Sequence, residues 1–241
     1  MRRFFAEDIT GDAVDLPAAE AHHARHALRL RDGEPVELFD GHGDAATGRL
    51  VLIGRKGARV AVDSRRTAPP PAPPGVELAF AVPKGKRLDW LLEKATELAA
   101  AALRPVHFAR SVAGPSHLSP AGRQRWRDRC VAAAKQAGVW HLPRVGEPVA
   151  LDDYLAAVTA PRRLLGAPEA LETVAGALAA GDTDADVALL IGPEGGLTDA
   201  ESDAARAAGF TPVRLGGTTL RTETAAIALL AAVRAVSDAS R

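Results

Sequence analysis

LLIGPEGGLTDAE, residues 189–201, ends an apolar run on Gly192, Pro193, Gly195 and Gly196, with Glu194 among them. VRLGGTTLRTETAAIALLAAV, residues 213–233, repeats the pattern soon after. Each reads as a buried strand, a tight glycine turn and a helix. In an α/β sheet, ligands sit beyond the carboxyl ends of the strands. Two such turns close in sequence therefore look like two walls of one pocket. Taken singly, either turn reads equally as a plain connection. The second resists that reading, because Thr218, Thr219, Arg221, Thr222, Glu223 and Thr224 crowd polar groups beside a very apolar helix.

Outward from these turns, strand and helix alternate. VELAFAV, LRPVHF, RRLLGA, VALLIG and TPVRLG read as strands. RLDWLLEKATELAA, SPAGRQRWRDRCVAAAKQAG, residues 151–159, residues 199–208 and TETAAIALLAAVRAV read as helices. Ser119 suits an N-cap, and Pro120 the first helical position. Such alternation predicts a mostly parallel sheet covered on both faces. RRTAPPPAPPG, residues 65–75, excludes helix and central strand and marks a stiff spacer. Before it, AAEAHHARHALRL reads as a helix, and VELFD, TGRLVLIG and ARVAVDS as strands of a small antiparallel sheet or barrel. The expected organisation is a β-barrel domain over 1–67, a linker over 68–75 and an α/β domain over 76–241.

The chain has 241 residues, 47% of them apolar, enough for a sizeable core. Lys plus Arg equals Asp plus Glu at 30 each, so only the distribution of charge bears on a nucleic-acid partner. Cys130 is the one cysteine, which excludes an internal disulfide and multi-cysteine metal sites and suits a reducing cytoplasm. No signal peptide or membrane-length apolar run is present. The histidines lack metal-ligand spacing, so no metal is expected.

The turns exclude the common phosphate loops. GPEGGL is neither a Walker A loop nor G-x-G-x-x-G, and Glu194 would repel a polyphosphate. A cation or zwitterion with a ring to cover fits better, and S-adenosylmethionine is such a ligand.

IGPEGGLTDAE followed by LGGTTLRTETAA resembles the paired signature of the RsmE-type 16S rRNA (uracil-N3)-methyltransferases of the SPOUT class. HHARHALRLRDGEPVELFDG is similar to that family's PUA-like segment, and VPKGKRLDWLLEKATELAA to the start of its catalytic domain. The resemblance covers nearly the whole chain in order. It implies a C-terminal trefoil knot and a homodimer. It implies methyl transfer from S-adenosylmethionine to N3 of one uridine in the decoding region of 16S rRNA in the small ribosomal subunit. Four positions depart from the family pattern: Ala99 stands where a glycine is expected, Lys135 where an acid is expected, Val139 where an arginine is expected, and Thr219 where a hydrophobic residue precedes Leu220.

Carried over residue by residue, the resemblance places S-adenosylmethionine against Leu165, Gly166, Ile191, Gly192, Glu194, Gly196, Leu215, Gly216 and Leu220. Uridine N3 titrates about two units above neutral, so populating its anion costs on the order of 3 kcal/mol. A cation on the uracil carbonyls or a base would offset that. Arg221 is the candidate cation, against a structural ion pair with Glu223 or Glu194. Glu223 is the candidate helper, against an acid that merely favours a helix start. For RNA, His22, Arg25, His26 and Arg29 fall at i, i+3, i+4 and i+7 on one expected helical face. Lys84, Lys86 and Arg87 precede a helix, and Arg123, Arg125, Arg127 and Arg129 stud another. Each cluster reads alternatively as a solvated face. Trp126 and Trp140 are candidates to stack on a base, Trp126 alternatively packing with Cys130. Two rival readings remain: a related methyltransferase acting on tRNA or another rRNA site, and an idle RNA-binding factor.

Overall fold

The computed structural model describes residues 1–111 and 118–239. Two compact units emerge: Met1–Pro71 with Val131–Leu142, and Ala72–Cys130 with Pro143–Arg241.

In the first unit, strands β1 (Arg2–Phe5), β2 (Ala13–Asp15), β3 (Pro35–Phe39), β4 (Asp44–Ile53) and β5 (Gly57–Thr67) pair in the order β1-β3-β4-β5-β2. Phe4, Val36, Leu38, Leu50 and Val60 alternate inward from these strands and are fully buried. The sheet is not wholly antiparallel, because β1 runs parallel to β3. A parallel pair needs a long crossover, and the chain between them carries β2 and helix α1 (Ala18–His22). At Gly48 the β4–β5 register shifts, and any Cβ there would collide with the Ala61 carbonyl. Glycine is what lets the two strands stay paired.

The second unit holds β6 (Val76–Ala81), α2 (Lys86–Glu97), β7 (Ala102–His107), α3 (Pro120–Ala137), β8 (Arg144–Val145), β9 (Val149–Ala150), α4 (Leu151–Ala157), β10 (Arg162–Gly166), α5 (Val174–Ala179), β11 (Val187–Ile191), α6 (Asp199–Ala207), β12 (Thr211–Val213) and α7 (Thr222–Ala239). Its sheet runs β12-β10-β11-β6-β7-β8, with β9 also on β7, and every pairing is parallel. All five residues of β11, VALLI, are buried, as a central parallel strand requires.

The proline-rich stretch alone does not separate the units. The end of α3 and the turn after it count with the first, because Val131 and Ala134 pack with Phe5 and Phe39. Lys135 serves the same packing, binding Glu20 at 2.7 Å. The Val139 carbonyl accepts from Arg3. Ala99 has φ +53°. It closes α2 in a left-handed turn, in which Ala100 N–H bonds the Ala95 carbonyl and Ala99 N–H that of Thr96. That backbone suits glycine. Arg234 of α7 holds the strained turn, donating to the Leu98 and Ala99 carbonyls.

Candidate cofactor and RNA site

The carboxyl ends of β10, β11 and β12 enclose a cavity of about 400 Å³ in the second unit. Leu165 and Gly166 line it from the end of β10. Ile191, Gly192, Glu194 and Gly196 line it from the first glycine turn. Leu215, Gly216 and Leu220 do so from the second. The fold thus brings all nine expected residues to one place, from three separate segments. Pro168, Glu169, Thr218 and Thr222 also line it. Glycine matters most at Gly196, whose φ of +70° is left-handed. At Gly216 an added Cβ would meet no heavy atom within 4 Å, so the backbone there borders open cavity.

The first turn is clamped from three sides. Arg110, beyond the end of β7, donates to the carbonyls of Gly195 at 3.0 Å and Leu197 at 3.2 Å. Thr198 and Glu201 form a capping box at the start of α6. Glu201 also accepts from Ala109 N–H at 2.6 Å. Burial works to raise the Glu201 pKa, but the backbone donors of Thr198 and Ala109 outweigh it and hold the carboxyl below its usual value. Thr222, which is buried, donates its hydroxyl to the Gly192 carbonyl at 3.0 Å and bolts one turn to the other. The sequence carried a hint of Arg110, since it follows the apolar run LRPVHF at a strand's carboxyl end, but nothing local named its partners.

Neither Arg221 nor Glu223 lines the cavity. Arg221 is exposed and makes no ion pair with Glu223 or Glu194. Both acids face Arg87 instead. Its Nη1 lies 2.7 Å from Glu194 Oε1 and 3.8 Å from Glu223 Oε2. Glu223 is buried, and its Oε2 has no hydrogen-bond partner. Lys84 and Lys86 are exposed beside Arg87.

The basic positions of the first unit are not one helical face. After α1 the chain widens into a π-helical turn, His23–Ala27, and Arg29 lies beyond it at φ +53°. Widening the turn breaks the 3.6-residue spacing on which the expected face depends. Arg25 donates to the Gly57 carbonyl at 2.9 Å and to those of Ile53 and Gly54, tying this turn to the β4–β5 hairpin. His22 and His26 remain exposed, their rings 4.5 Å apart. Along α3, Arg123 pairs with Glu147, while Arg125 and Arg129 pair with Asp89. Trp126 is buried, as is Cys130. Trp140 is faced by the guanidinium groups of Arg3 at 4.0 Å and Arg66 at 4.4 Å. Both arginines pair with buried Glu37. Among the described residues no cluster of His, Cys, Asp and Glu has the makings of a metal site.

These features define a class: an α/β protein with a small-molecule cavity at the carboxyl ends of adjacent parallel strands, joined to a small β unit. A family profile described as an RNA methyltransferase domain matches residues 70–234, and one described as an RNA methyltransferase PUA domain matches residues 16–63. The chain belongs to this RNA methyltransferase family. A Synechocystis relative named Ribosomal RNA small subunit methyltransferase E is 32% identical over 237 residues, covering 96% of this chain and 76% of the relative. One of the same name from Mycobacterium tuberculosis is 35% identical, over 93% of this chain and 87% of the relative. Among solved structures, a Neisseria gonorrhoeae Ribosomal RNA small subunit methyltransferase E bound to S-adenosyl methionine superposes with TM-score 0.85 at 30% identity, covering 98% of this chain and 97% of that one. A putative methyltransferase from Legionella pneumophila with bound SAM gives 0.87 at 28% identity, over 97% of this chain and 96% of that one.

Proposed function

We infer that this protein methylates small-subunit ribosomal RNA with S-adenosylmethionine, at N3 of a uridine in the decoding region of 16S rRNA. The observation that carries the reading is the single cavity walled by both glycine turns and the end of β10. Its volume is within the range of small-molecule sites. Its open space at Gly216 suits a ligand held close to backbone. Leu165, Ile191, Leu215 and Leu220 would cover an adenine ring, while Glu169 and Glu194 supply acids for ribose hydroxyls or a positive centre. The names and bound ligands of the relatives support the same choice.

When bound, S-adenosylmethionine supplies an electrophilic methyl carbon. The chain's own residues hold the rest. Glu223 Oε2 is a buried acceptor without a donor, which suits it to take the N3 proton. Exposed Arg221, free of both acids, is placed at the start of α7 to donate to a uracil carbonyl or a phosphate. Lys84, Lys86, His22, His26 and Arg29 are exposed and serve as phosphate contacts. Arg25 acts through the hairpin that it ties. A trefoil knot at the two turns and a homodimer belong to the same proposal. No described helix is long and apolar enough to cross a membrane, which agrees with action in the cytoplasm.

The test uses small ribosomal subunits that lack native uridine methylation. They are incubated with protein and S-adenosylmethionine, and the RNA is digested and read by mass spectrometry. N3-methyluridine at one position is the expected product. Cofactor binding without any methylated nucleoside would move the target to another RNA, with tRNA tried next.

A further inference from the structure

Arg87 reads from sequence as an RNA contact, yet the fold pairs it with Glu194, a residue of the cavity lining. Its Nη1 donates to Glu194 of the first glycine turn at 2.7 Å. The same nitrogen lies 3.8 Å from Glu223 Oε2, at the start of the helix that follows the second turn. One guanidinium thus faces two carboxylates carried by different walls. The pairing spans 107 positions along the chain to Glu194, so no local pattern announces it. The Arg87 side chain is 37% exposed and that of Glu223 9%. The cation is therefore partly open to solvent and the second acid is buried. At 3.8 Å, Arg87 balances the charge of Glu223 Oε2 without satisfying its hydrogen-bonding capacity. That oxygen is left without a hydrogen-bond donor. The neutral Thr222–Gly192 bond joins the same two turns in the interior. The first glycine turn and the start of α7 are therefore tied twice, once by a part-buried neutral bond and once through Arg87.

We propose that Arg87 is a positioning residue: it locks the Glu194 turn in its ligand-ready shape and keeps Glu223 as an open carboxylate, rather than binding RNA phosphate. The proposal rests on the reading of the cavity as the S-adenosylmethionine site. A lysine in its place would keep the charge but not the fixed, planar placement of the donors.

The test is a double-mutant cycle in the full-length protein, with S-adenosylhomocysteine as probe in calorimetry. Arg87→Gln and Glu194→Gln are each expected to weaken binding about fivefold, the scale of one partly exposed ion pair. The double variant should be no weaker than Glu194→Gln alone, because Arg87 acts on the ligand through that pair. Arg87→Lys should recover part of the loss. In single-turnover methyl transfer at saturating cofactor, adding Glu223→Gln to Arg87→Gln should likewise cost less than the product of the two single effects. Multiplying effects in both cycles would overturn the proposal. So would an Arg87→Gln variant that binds S-adenosylhomocysteine like the wild type while its RNA affinity loses about one unit of salt slope, the mark of a lost phosphate contact. Should Arg87→Gln fold poorly, Glu194→Gln removes the pair from the other side, and wild-type affinity in that variant would refute the lock. Wild-type protein that fails to bind the probe at all defeats the cavity reading itself, and this inference with it.

Discussion

Gly216→Leu separates the cavity from the fold more cleanly than any other change. Gly216 follows β12, lines the cavity and has no left-handed backbone to protect. Nothing lies within 4 Å of the Cβ it lacks, so a leucine enters empty space in the ligand-free protein. Stability should then move by no more than about 0.5 kcal/mol, the usual range for such positions. For a chain of this size that is roughly 1–2 °C in Tm. A bound ligand meets the opposite situation, because the new side chain occupies the space it needs. Overpacking of that kind costs about 1–3 kcal/mol, which weakens binding roughly 5- to 150-fold. Calorimetry with S-adenosylhomocysteine and a thermal melt, run on wild type, Gly216→Ala and Gly216→Leu, reads both quantities. The alanine variant should bind almost normally and the leucine variant poorly, with all three melting together. A leucine variant that melts normally and binds within about twofold of wild type would refute the reasoning.

Other perturbations give distinct readouts. Ala99→Gly should raise Tm by about 1–4 °C, since glycine relieves about 0.5–1 kcal/mol at a left-handed helix end; a lower Tm would mean that the Ala99 methyl packs more than it strains. Arg25→Ala should lower stability by about 1–3 kcal/mol through the three hairpin carbonyls it abandons, read by urea titration, while leaving the salt slope of RNA binding unchanged. Glu201 has a depressed folded pKa, so its contribution to stability is complete above the ordinary value of 4.5 and fades as pH falls through the lower folded one. The difference in Tm between wild type and Glu201→Gln should therefore shrink with acid below about pH 4.5, and a constant difference would contradict the assignment. Burial pushes the Cys130 thiol up to about 11, so native protein at pH 8 should resist alkylation that proceeds readily in denaturant.

Local chemistry made much of this protein legible in one dimension. Apolar runs closed by glycine predicted strands that deliver turns to one end of a parallel sheet, and the family resemblance those turns carry named the cavity residues of β10, β11 and β12. Ser119 marked a helix start: its side chain accepts from Gly122 N–H at 3.1 Å. Thr222 was visible as a polar residue at an apolar helix start, although its acceptor, Gly192, was not.

What failed to transfer was the partnership of charges. Sequence marks Arg25, Arg125 and Arg129 as surface candidates, yet Arg25 binds carbonyls and Arg125 and Arg129 meet Asp89, while Trp140, a candidate to stack on a base, is faced by Arg3 and Arg66. A long cation reaches whatever acceptor the fold brings near, and that acceptor can lie anywhere in the chain. Spacing on a helical wheel also assumed a regular helix, which the π-helical turn at His23–Ala27 interrupts. The sequence by itself determined the longer strands and the glycine turns, but not the short β1, β2, β8 and β9, because hydrophobic period and glycine conformation act over a few residues and a two- to four-residue strand shows no period. Only the tertiary structure decided that Arg87, not Arg221, takes Glu194 and Glu223, because ion pairs are chosen by distance in space between segments that the parallel sheet brings together from far apart in the chain.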